Sequence, residues 1–207
     1  PYQTLQSLLL FFEGEDHQGT MSEYQRDLNV KTGVATTSYK IKDIQFTREH
    51  LCSYPHDVVA IRIRANKEKA ISFRARFERQ VLNTVHFTDR VVHNGSDQII
   101  AFDQSGPGGV HYRITAKAIS NDGKISCLGE YLVVENATEV VLFVAANTSF
   151  TVPEEQLDTH LNEVLQNAVQ AGWKEVFDKS VEDVDSLMSR VDLQISNGKK
   201  SQDNEEL

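Results

Sequence analysis

The apolar residues of this chain change their spacing once, at Pro153, and that change constrains the fold more than any other feature. Before Pro153 they recur at every second position, as in residues 58–65, where Ile61 and Ile63 alternate with arginines. A period of two is that of a strand with one buried face. After Pro153 they recur at every third or fourth position, the period of an amphipathic helix. The sequence therefore predicts a β-domain followed by a helical segment.

The first three quarters of the chain have the turn and strand pattern of an antiparallel β-domain. Lys42-Asp43 lies between two apolar alternations, and Asn121-Asp122-Gly123 is a strong turn signal. Each of these turns is expected to join two neighbouring strands. Roughly ten short strands at this spacing favour a sandwich over alternating strand and helix units. We therefore predict a mainly β fold, an antiparallel β-sandwich, over residues 1–150.

The last quarter predicts two helices and a tail. Pro153-Glu154-Glu155 is a helix start, because proline is tolerated in the first turn and carboxylates favour the positive end of the helix dipole. Gly172 is expected to end the first helix, and Trp173 to begin the second. The apolar stripes of the two helices comprise Leu157, Leu161, Val164, Leu165, Ala168, Val169, Val176, Phe177, Val181, Val184, Leu187 and Met188. We assign residues 151–190 to a two-helix linker and residues 191–207 to a strand-like segment with a polar tail.

Two strands close in sequence carry arginine on the face opposite their apolar residues. Residues 58–65 and 71–78 both alternate, and we predict that they pair as a hairpin across the turn at 66–69. That pairing would align one row of basic side chains: Arg62, Arg64, Arg74 and Arg76. The row is either a solvated sheet face or an interdomain surface, because guanidinium groups pair well with the carboxylates of an acidic neighbour.

Charge and apolar run length argue against two classes of partner. A formal net charge of -9 disfavours nucleic acid, whose phosphates need a basic surface. No apolar run approaches the roughly 18 residues that span a bilayer, and Pro1 opens no recognisable signal peptide.

Cys52 and Cys127 are too few for a disulfide framework and are either two free thiols or one bridge. The candidate N-glycosylation sites, compatible with a secreted parent protein, are Asn94, Asn136 and Asn147.

The reactive residue types of this chain do not have the spacing of a known site. Residues 13–17 are acidic but match no calcium loop, so a solvated loop is expected. Ser53, His56 and Asp57 lack the strand-to-helix elbow of a nucleophile, and Pro55-His56-Asp57 is expected to form a tight turn. Residues 106–109 are rich in glycine, but no helix with a lysine follows them. We predict no catalytic residue, no metal site and no cofactor in this chain.

A stretch of about fifty residues, from Tyr24 to Phe73, keeps the motif order of a known family. Its motifs are Tyr24-Gln25-Arg26-Asp27-Leu28-Asn29-Val30, Thr32-Gly33-Val34-Ala35, Ser38-Tyr39, Phe46-Thr47-Arg48-Glu49, Ser53-Tyr54-Pro55 and Asp57-Val58. Flanking matches are Tyr2-Gln3-Thr4-Leu5, Ala145-Ala146-Asn147-Thr148-Ser149-Phe150 and Ser189-Arg190-Val191-Asp192-Leu193. On these motifs the chain resembles the N-terminal domain of glycoside hydrolase family 95, the inverting α-L-fucosidases. It departs from that family at residues 180–184, where the family commonly has His-x-x-Asp-Tyr.

The resemblance implies an accessory sandwich that serves a catalytic domain. In the family, further strands would precede Pro1 and an (α/α)6 catalytic barrel would follow Leu207, so a piece truncated at both ends is expected. Because the barrel holds the family's catalytic residues, none is transferred onto this sequence. The resemblance implies a parent that hydrolyses terminal α-1,2-linked L-fucose from fucosylated glycans, and the three sequons favour a secreted one. Absent leading strands would leave an open sheet edge, for which we expect edge-strand dimerisation.

Two other interpretations remain open at this stage. One is a stand-alone carbohydrate-binding β-sandwich, in which an exposed aromatic ring stacks on a sugar. The candidate rings are those of Tyr54, Tyr112 and Tyr131. The other is a shortened product that has lost its catalytic half. Binding of a glycan in solution would favour the first and count against the second.

Overall fold

The computed structural model describes residues 5–81, 84–85, 90–105 and 108–191. Most of them form two antiparallel sheets that pack face to face, so the predicted mainly β sandwich is confirmed. The opening motif at residues 2–4, Gly106-Pro107 of the glycine-rich loop, and the predicted tail beyond Val191 lie outside the described residues.

The larger sheet has eight strands, all in antiparallel pairs. In spatial order they are β2 (Met21–Asn29), β3 (Val34–Ile41), β4 (Ile44–Ser53), β5 (Val58–Ala65), β14 (Glu139–Thr148), β11 (His111–Ile119), β10 (Gln98–Gln104) and β9 (Arg90–His93). One edge strand, β2, is exposed along all nine of its residues. A long strand of that kind presents unpaired backbone groups to solvent.

The smaller sheet has four strands and covers the middle of the larger one. In spatial order they are β1 (Ser7–Phe12), β6 (Ile71–Glu78), β13 (Tyr131–Ala137) and β12 (Lys124–Leu128). A two-stranded ribbon consists of β7 (Gln80–Val81) and β8 (Thr84–Val85).

The predicted hairpin between residues 58–65 and 71–78 was wrong. The strand β5 pairs with β4 and β14 in the larger sheet, whereas β6 pairs with β1 and β13 in the smaller one. Their apolar faces meet across the core, where Ile63 and Phe73 are almost completely buried. Alternation indicates which residues of a strand are buried, but it is the same for strands that lie side by side and strands that face each other.

The helical segment is one kinked helix, α1 (Leu157–Met188), and not two separate helices. A short 3-10 turn, Glu154–Gln156, precedes it. At Gly172 the backbone leaves the helical region, with φ 70° and ψ 173°, yet the helix resumes at Trp173. Glycine adopts this conformation without the steric cost that a Cβ brings. The sequence thus predicted the position of the interruption correctly, but the helix continues beyond Gly172 instead of ending there.

The apolar stripe of α1 packs on the outer face of the larger sheet, so the molecule has three layers. The buried residues on the helix side are Leu161, Leu165, Ala168 and Val176, and those on the sheet side are Val34, Leu51, Val58, Ala60, Val141, Phe143 and Ala145. Each fully buried large apolar side chain contributes about 1.5–3 kcal/mol to folding. The helix is therefore part of this folded unit. Within the described residues no helix has the length and apolar content needed to cross a membrane.

Candidate functional site

A cleft of about 410 Å³ opens at one end of the sandwich, where β4 and β14 end and β5 begins. We call this end of the molecule the Tyr54 end. Apolar side chains such as Val59, Ile114 and Val144 line the cleft, and Tyr54 and Asp57 add polar groups. Its volume falls within the range of small-ligand pockets, which are mostly apolar with a few polar groups.

The Tyr54 ring stands free beside this cleft. Tyr54 is 87% exposed and begins the predicted turn, in which the Asp57 amide donates a hydrogen bond of 3.2 Å to the Tyr54 carbonyl. Asp57 has φ 53°, the left-handed conformation that Asp tolerates better than most residues. The backbone that carries the ring is thus held in place while the ring itself faces solvent.

The other two candidate tyrosines do not face solvent in the same way. Tyr112 is only 5% exposed on β11. Tyr131 is half-buried, and its ring lies 6.5 Å from that of Phe11 on the outer face of the smaller sheet. Of the three tyrosines, Tyr54 has the accessible ring face that sugar stacking requires.

Ser53 and His56 come together, but their geometry is that of a turn closure. Ser53 Oγ lies 3.1 Å from His56 Nδ1, and Ser53 is 3% exposed. Burial, followed by the charge of Lys179, lowers the pKa of His56, while Glu175 on α1 opposes the shift. No described carboxylate is hydrogen-bonded to His56. A serine nucleophile needs access to substrate and an oriented base, and neither is present here.

The acidic loop of residues 13–17 is held by ion pairs and ring contacts. Glu13 pairs with Arg74, and Asp16 Oδ1 lies 2.7 Å from Lys67 Nζ. The His17 ring packs 4.6 Å from the Phe46 ring. In the part of the chain that the structure describes, no three His, Cys, Asp or Glu residues are placed to hold a metal ion.

The four arginines predicted to form one basic row lie on opposite outer faces of the sandwich. Because β5 and β6 belong to different sheets, Arg62 and Arg64 project from the larger sheet, and Arg74 and Arg76 from the smaller one. The prediction that the four arginines share one face was therefore wrong, because it assumed that β5 and β6 pair in one sheet.

Arg62 and Arg64 form an ion-pair network beside α1. Arg62 Nη2 lies 2.7 Å from Glu139 Oε2, and Arg64 Nη2 lies 3.0 Å from Glu49 Oε2. The Arg62 guanidinium carbon is 5.5 Å from the centre of the Trp173 ring, within cation–π range. Trp173 directly follows the Gly172 kink, so this contact ties the second half of the helix to β5.

Arg74 and Arg76 are also neutralised, on the outer face of the smaller sheet. Arg76 pairs with Glu78 at 2.7 Å and with Glu130 at 2.9 Å, and the hydrogen bond with Glu78 is the main cause that raises its pKa. Both guanidinium groups lie near the Tyr131 ring, at 5.3 Å for Arg74 and 5.7 Å for Arg76. Neither pair of arginines is an unneutralised basic patch.

The two cysteines are free thiols, the first of the two alternatives. Cys52 is exposed at the Tyr54 end, and Cys127 is half-buried. Burial raises the pKa of the Cys127 thiol.

Sequence reasoning missed a buried ion pair between the sheets. Arg79 Nη1 lies 2.8 Å from Asp103 Oδ2, and both side chains are almost completely buried. The available signal was that Asp103 falls in step with the apolar residues Ile99 and Ala101 on the core face of the strand. A buried carboxylate at such a position needs a partner.

A family model described as glycosyl hydrolase family 65, N-terminal domain, matches residues 1–152. The chain belongs to this family of N-terminal sandwich domains, so the resemblance to the N-terminal domain of a glycoside hydrolase is confirmed at that level.

A curated relative and a solved structure add detail. The chain is 26% identical over 221 residues to alpha-L-fucosidase 2 of Arabidopsis thaliana, an alignment that covers 94% of this chain and 26% of the relative. It thus spans about a quarter of the length of that protein. A putative kojibiose phosphorylase from the human microbiome superposes with a TM-score of 0.61 at 10% identity, covering 84% of this chain and 27% of that one. At that identity the superposition supports the fold alone.

Proposed function

We propose that this chain is the accessory N-terminal β-sandwich and linker of a fucosidase-like glycoside hydrolase. The observation that carries the proposal is the combination of the family match over residues 1–152 with an alignment to an α-L-fucosidase along 94% of the chain. The parent enzyme of this proposal hydrolyses terminal α-1,2-linked L-fucose with inversion in an (α/α)6 catalytic domain. The sandwich braces that domain and takes no chemical part in the reaction.

The chemistry of the cleft supports a role outside catalysis. Inverting hydrolysis requires one carboxylic acid and one carboxylate, separated by about 6.5–9.5 Å, on either side of the scissile bond. Among the described residues that line the cleft at the Tyr54 end, Asp57 is the one with a carboxylate. Other carboxylates such as Glu49 and Glu139 are paired with arginines outside it.

The end of α1 supports a bracing role. Most of the helix is held on the larger sheet, but its last turn carries exposed apolar residues. Leu187 is 56% exposed, and Met188 and Val191 are exposed beside it. Apolar surface at the point where the chain continues to residue 192 is suited to a contact with the remainder of a larger enzyme.

Release of fucose from an α-1,2-fucosylated oligosaccharide by the purified chain tests this function. The expected result is no release under conditions in which the Arabidopsis relative liberates fucose. Fucose release at a rate proportional to the concentration of the chain would overturn the proposal. Substitution of Asp57 by Asn would then show whether the cleft is responsible.

A second candidate function, a glycan-binding module, is supported by the exposed Tyr54 ring at the mouth of the cleft. An aromatic face beside a pocket is a stacking platform for the apolar face of a sugar ring. Calorimetric titration with the same oligosaccharide tests it, with Tyr54→Ala as the variant. Tyr24→Ala is the matched control, because Tyr24 is exposed on β2 away from the cleft. Heat that is lost in the first variant and kept in the second would favour this function.

A further inference from the structure

We infer that, of the three Asn-x-Ser/Thr sequons, Asn136 is the one at which the folded protein carries an N-linked glycan. The inference concerns modification of the sandwich surface and is independent of the proposed function. In this modification Asn Nδ2 attacks the anomeric carbon of a polyprenyl-pyrophosphate-linked oligosaccharide. A C–N bond forms, the sugar–phosphate C–O bond breaks, the amide loses one proton and the lipid pyrophosphate leaves.

The Asn94 side chain is exposed, but both of its N–H groups are used in hydrogen bonds to other side chains. Asn94 Nδ2 donates to Gln98 Oε1 at 3.1 Å and to Asn162 Oδ1 at 3.2 Å. An amide nitrogen has two donors, so a glycan that replaces one of them removes one of these bonds. The bond to Asn162 joins the β9–β10 turn to α1. A sugar at this position would also have to fit between the turn and the helix.

The Asn147 side chain is half-buried near the end of β14. Its Oδ1 accepts hydrogen bonds from the Thr148 amide at 2.7 Å and from Thr151 Oγ1 at 2.5 Å. By the alternation of the strand, Asn147 shares the face of Phe143 and Ala145, which is covered by α1. A glycan here would be directed toward the segment where the helix begins.

The Asn136 side chain, in contrast, is exposed and makes no hydrogen bond with any described residue. Asn136 sits in an irregularity of β13, where the pairing with β6 shifts between Val134 and Ala137. Its φ is 53°, and its backbone amide donates a 3.0 Å hydrogen bond to Ser72 Oγ. The backbone is therefore fixed, while the side-chain amide is exposed to solvent.

The position of Asn136 has a consequence for docking. Asn136 lies next to the start of β14, where Glu139 opposes Arg64 at the end of β5, and thus at the end of the sandwich opposite Tyr54. A glycan extends over a large volume and keeps the surface around it in solvent. The Tyr54 end and the end of α1 would then remain as the surfaces available to a neighbouring domain.

Secretion of the full chain from eukaryotic cells behind a cleavable leader tests the inference. The folded, monodisperse fraction is digested with a peptide N-glycosidase in ¹⁸O water, which converts each glycosylated Asn to a labelled Asp that peptide mass spectrometry locates. The label is expected at Asn136 and not at Asn94 or Asn147. Asn136→Asp should remove the glycan, because Asp tolerates the same left-handed backbone but accepts no sugar. Thr138→Ser keeps the sequon and should keep the glycan.

Each outcome decides the question, and the unmodified chain alone suffices if a variant folds poorly. A label at Asn94 or Asn147 in the folded fraction would overturn the inference, because the contacts described above would then not be obstacles. Absence of a label at Asn136 would overturn it as well. In that case Asn136 would serve the strand irregularity, and Thr138 its hydrogen bonds with Asp122 and with the Lys69 backbone amide.

Discussion

Leu165→Ala tests whether α1 is part of the folded sandwich domain. Leu165 is 1% exposed and packs against the outer face of the larger sheet. Truncation of a buried leucine to alanine costs about 2–5 kcal/mol through lost burial and the cavity left behind. For a domain of this size, that corresponds to a fall in melting temperature of roughly 4–20 °C.

The matched control is Leu187→Ala, the same substitution in the same helix at a site that is 56% exposed. Its expected cost is within about 0.5 kcal/mol. Urea unfolding followed by far-UV circular dichroism and by the fluorescence of Trp173 gives both free energies and tests whether helix and sheet unfold together. If Leu165→Ala cost no more than the control, or if the Trp173 signal melted before the sheet, the helix would not be an integral layer.

Three further perturbations test separate parts of the structure. Gly172→Ala should destabilise the folded chain by about 1–3 kcal/mol in thermal unfolding, because φ 70° and ψ 173° is essentially a glycine conformation. An added Cβ would meet no atom within 4 Å, so the cost comes from the backbone conformation and not from a clash. A result near zero would mean that the kink relaxes into regular helix. Leu28→Lys on the exposed edge strand β2 should reduce the concentration-dependent dimerisation that we predict for the chain, as measured by sedimentation velocity. If the unsubstituted chain stayed monomeric at high concentration, the prediction of dimerisation would be wrong. Burial, reinforced by Arg48, lowers the pKa of His17 and His50, so the folded state favours their neutral forms. The resulting stability is present above the ordinary pKa of 6.5 and is lost as the pH falls through the lowered pKa values. The urea midpoint should therefore fall between about pH 7.5 and about pH 5, and it should fall less in His50→Gln. If the midpoint depended on pH as strongly in His50→Gln as in the unsubstituted chain, His50 would have no part in the effect.

Turn signals in the sequence were reliable for the places where one strand ends and the next begins. The Lys42-Asp43 turn joins the paired strands β3 and β4, and residues 121–123 connect β11 of the larger sheet to β12 of the smaller one. These turns are decided by residues next to each other in sequence, so local chemistry is enough. The β5 and β6 strands show the limit, because the choice between pairing within a sheet and packing across the core depends on other strands.

The edge strand β2 was not predicted as a strand from its own pattern. All of its residues are exposed, so it has no buried face and therefore no alternation to detect. Which of the three candidate tyrosines is exposed, and which cation pairs with Asp103, were beyond local reasoning, since exposure and ion pairing are set by tertiary neighbours. The family resemblance, in contrast, rested on the order of motifs and was confirmed at the level of an N-terminal glycoside hydrolase domain.

The measurement that tests the accessory role most directly is a prolonged incubation of the chain with an α-1,2-fucosylated oligosaccharide, with free fucose quantified over time and binding heat recorded in parallel. An accessory sandwich predicts neither fucose nor heat, at chain concentrations far above those of a working enzyme. Fucose that accumulates in proportion to the chain and disappears in Asp57→Asn would contradict the account, because it would mean that a catalytic site lies within these 207 residues.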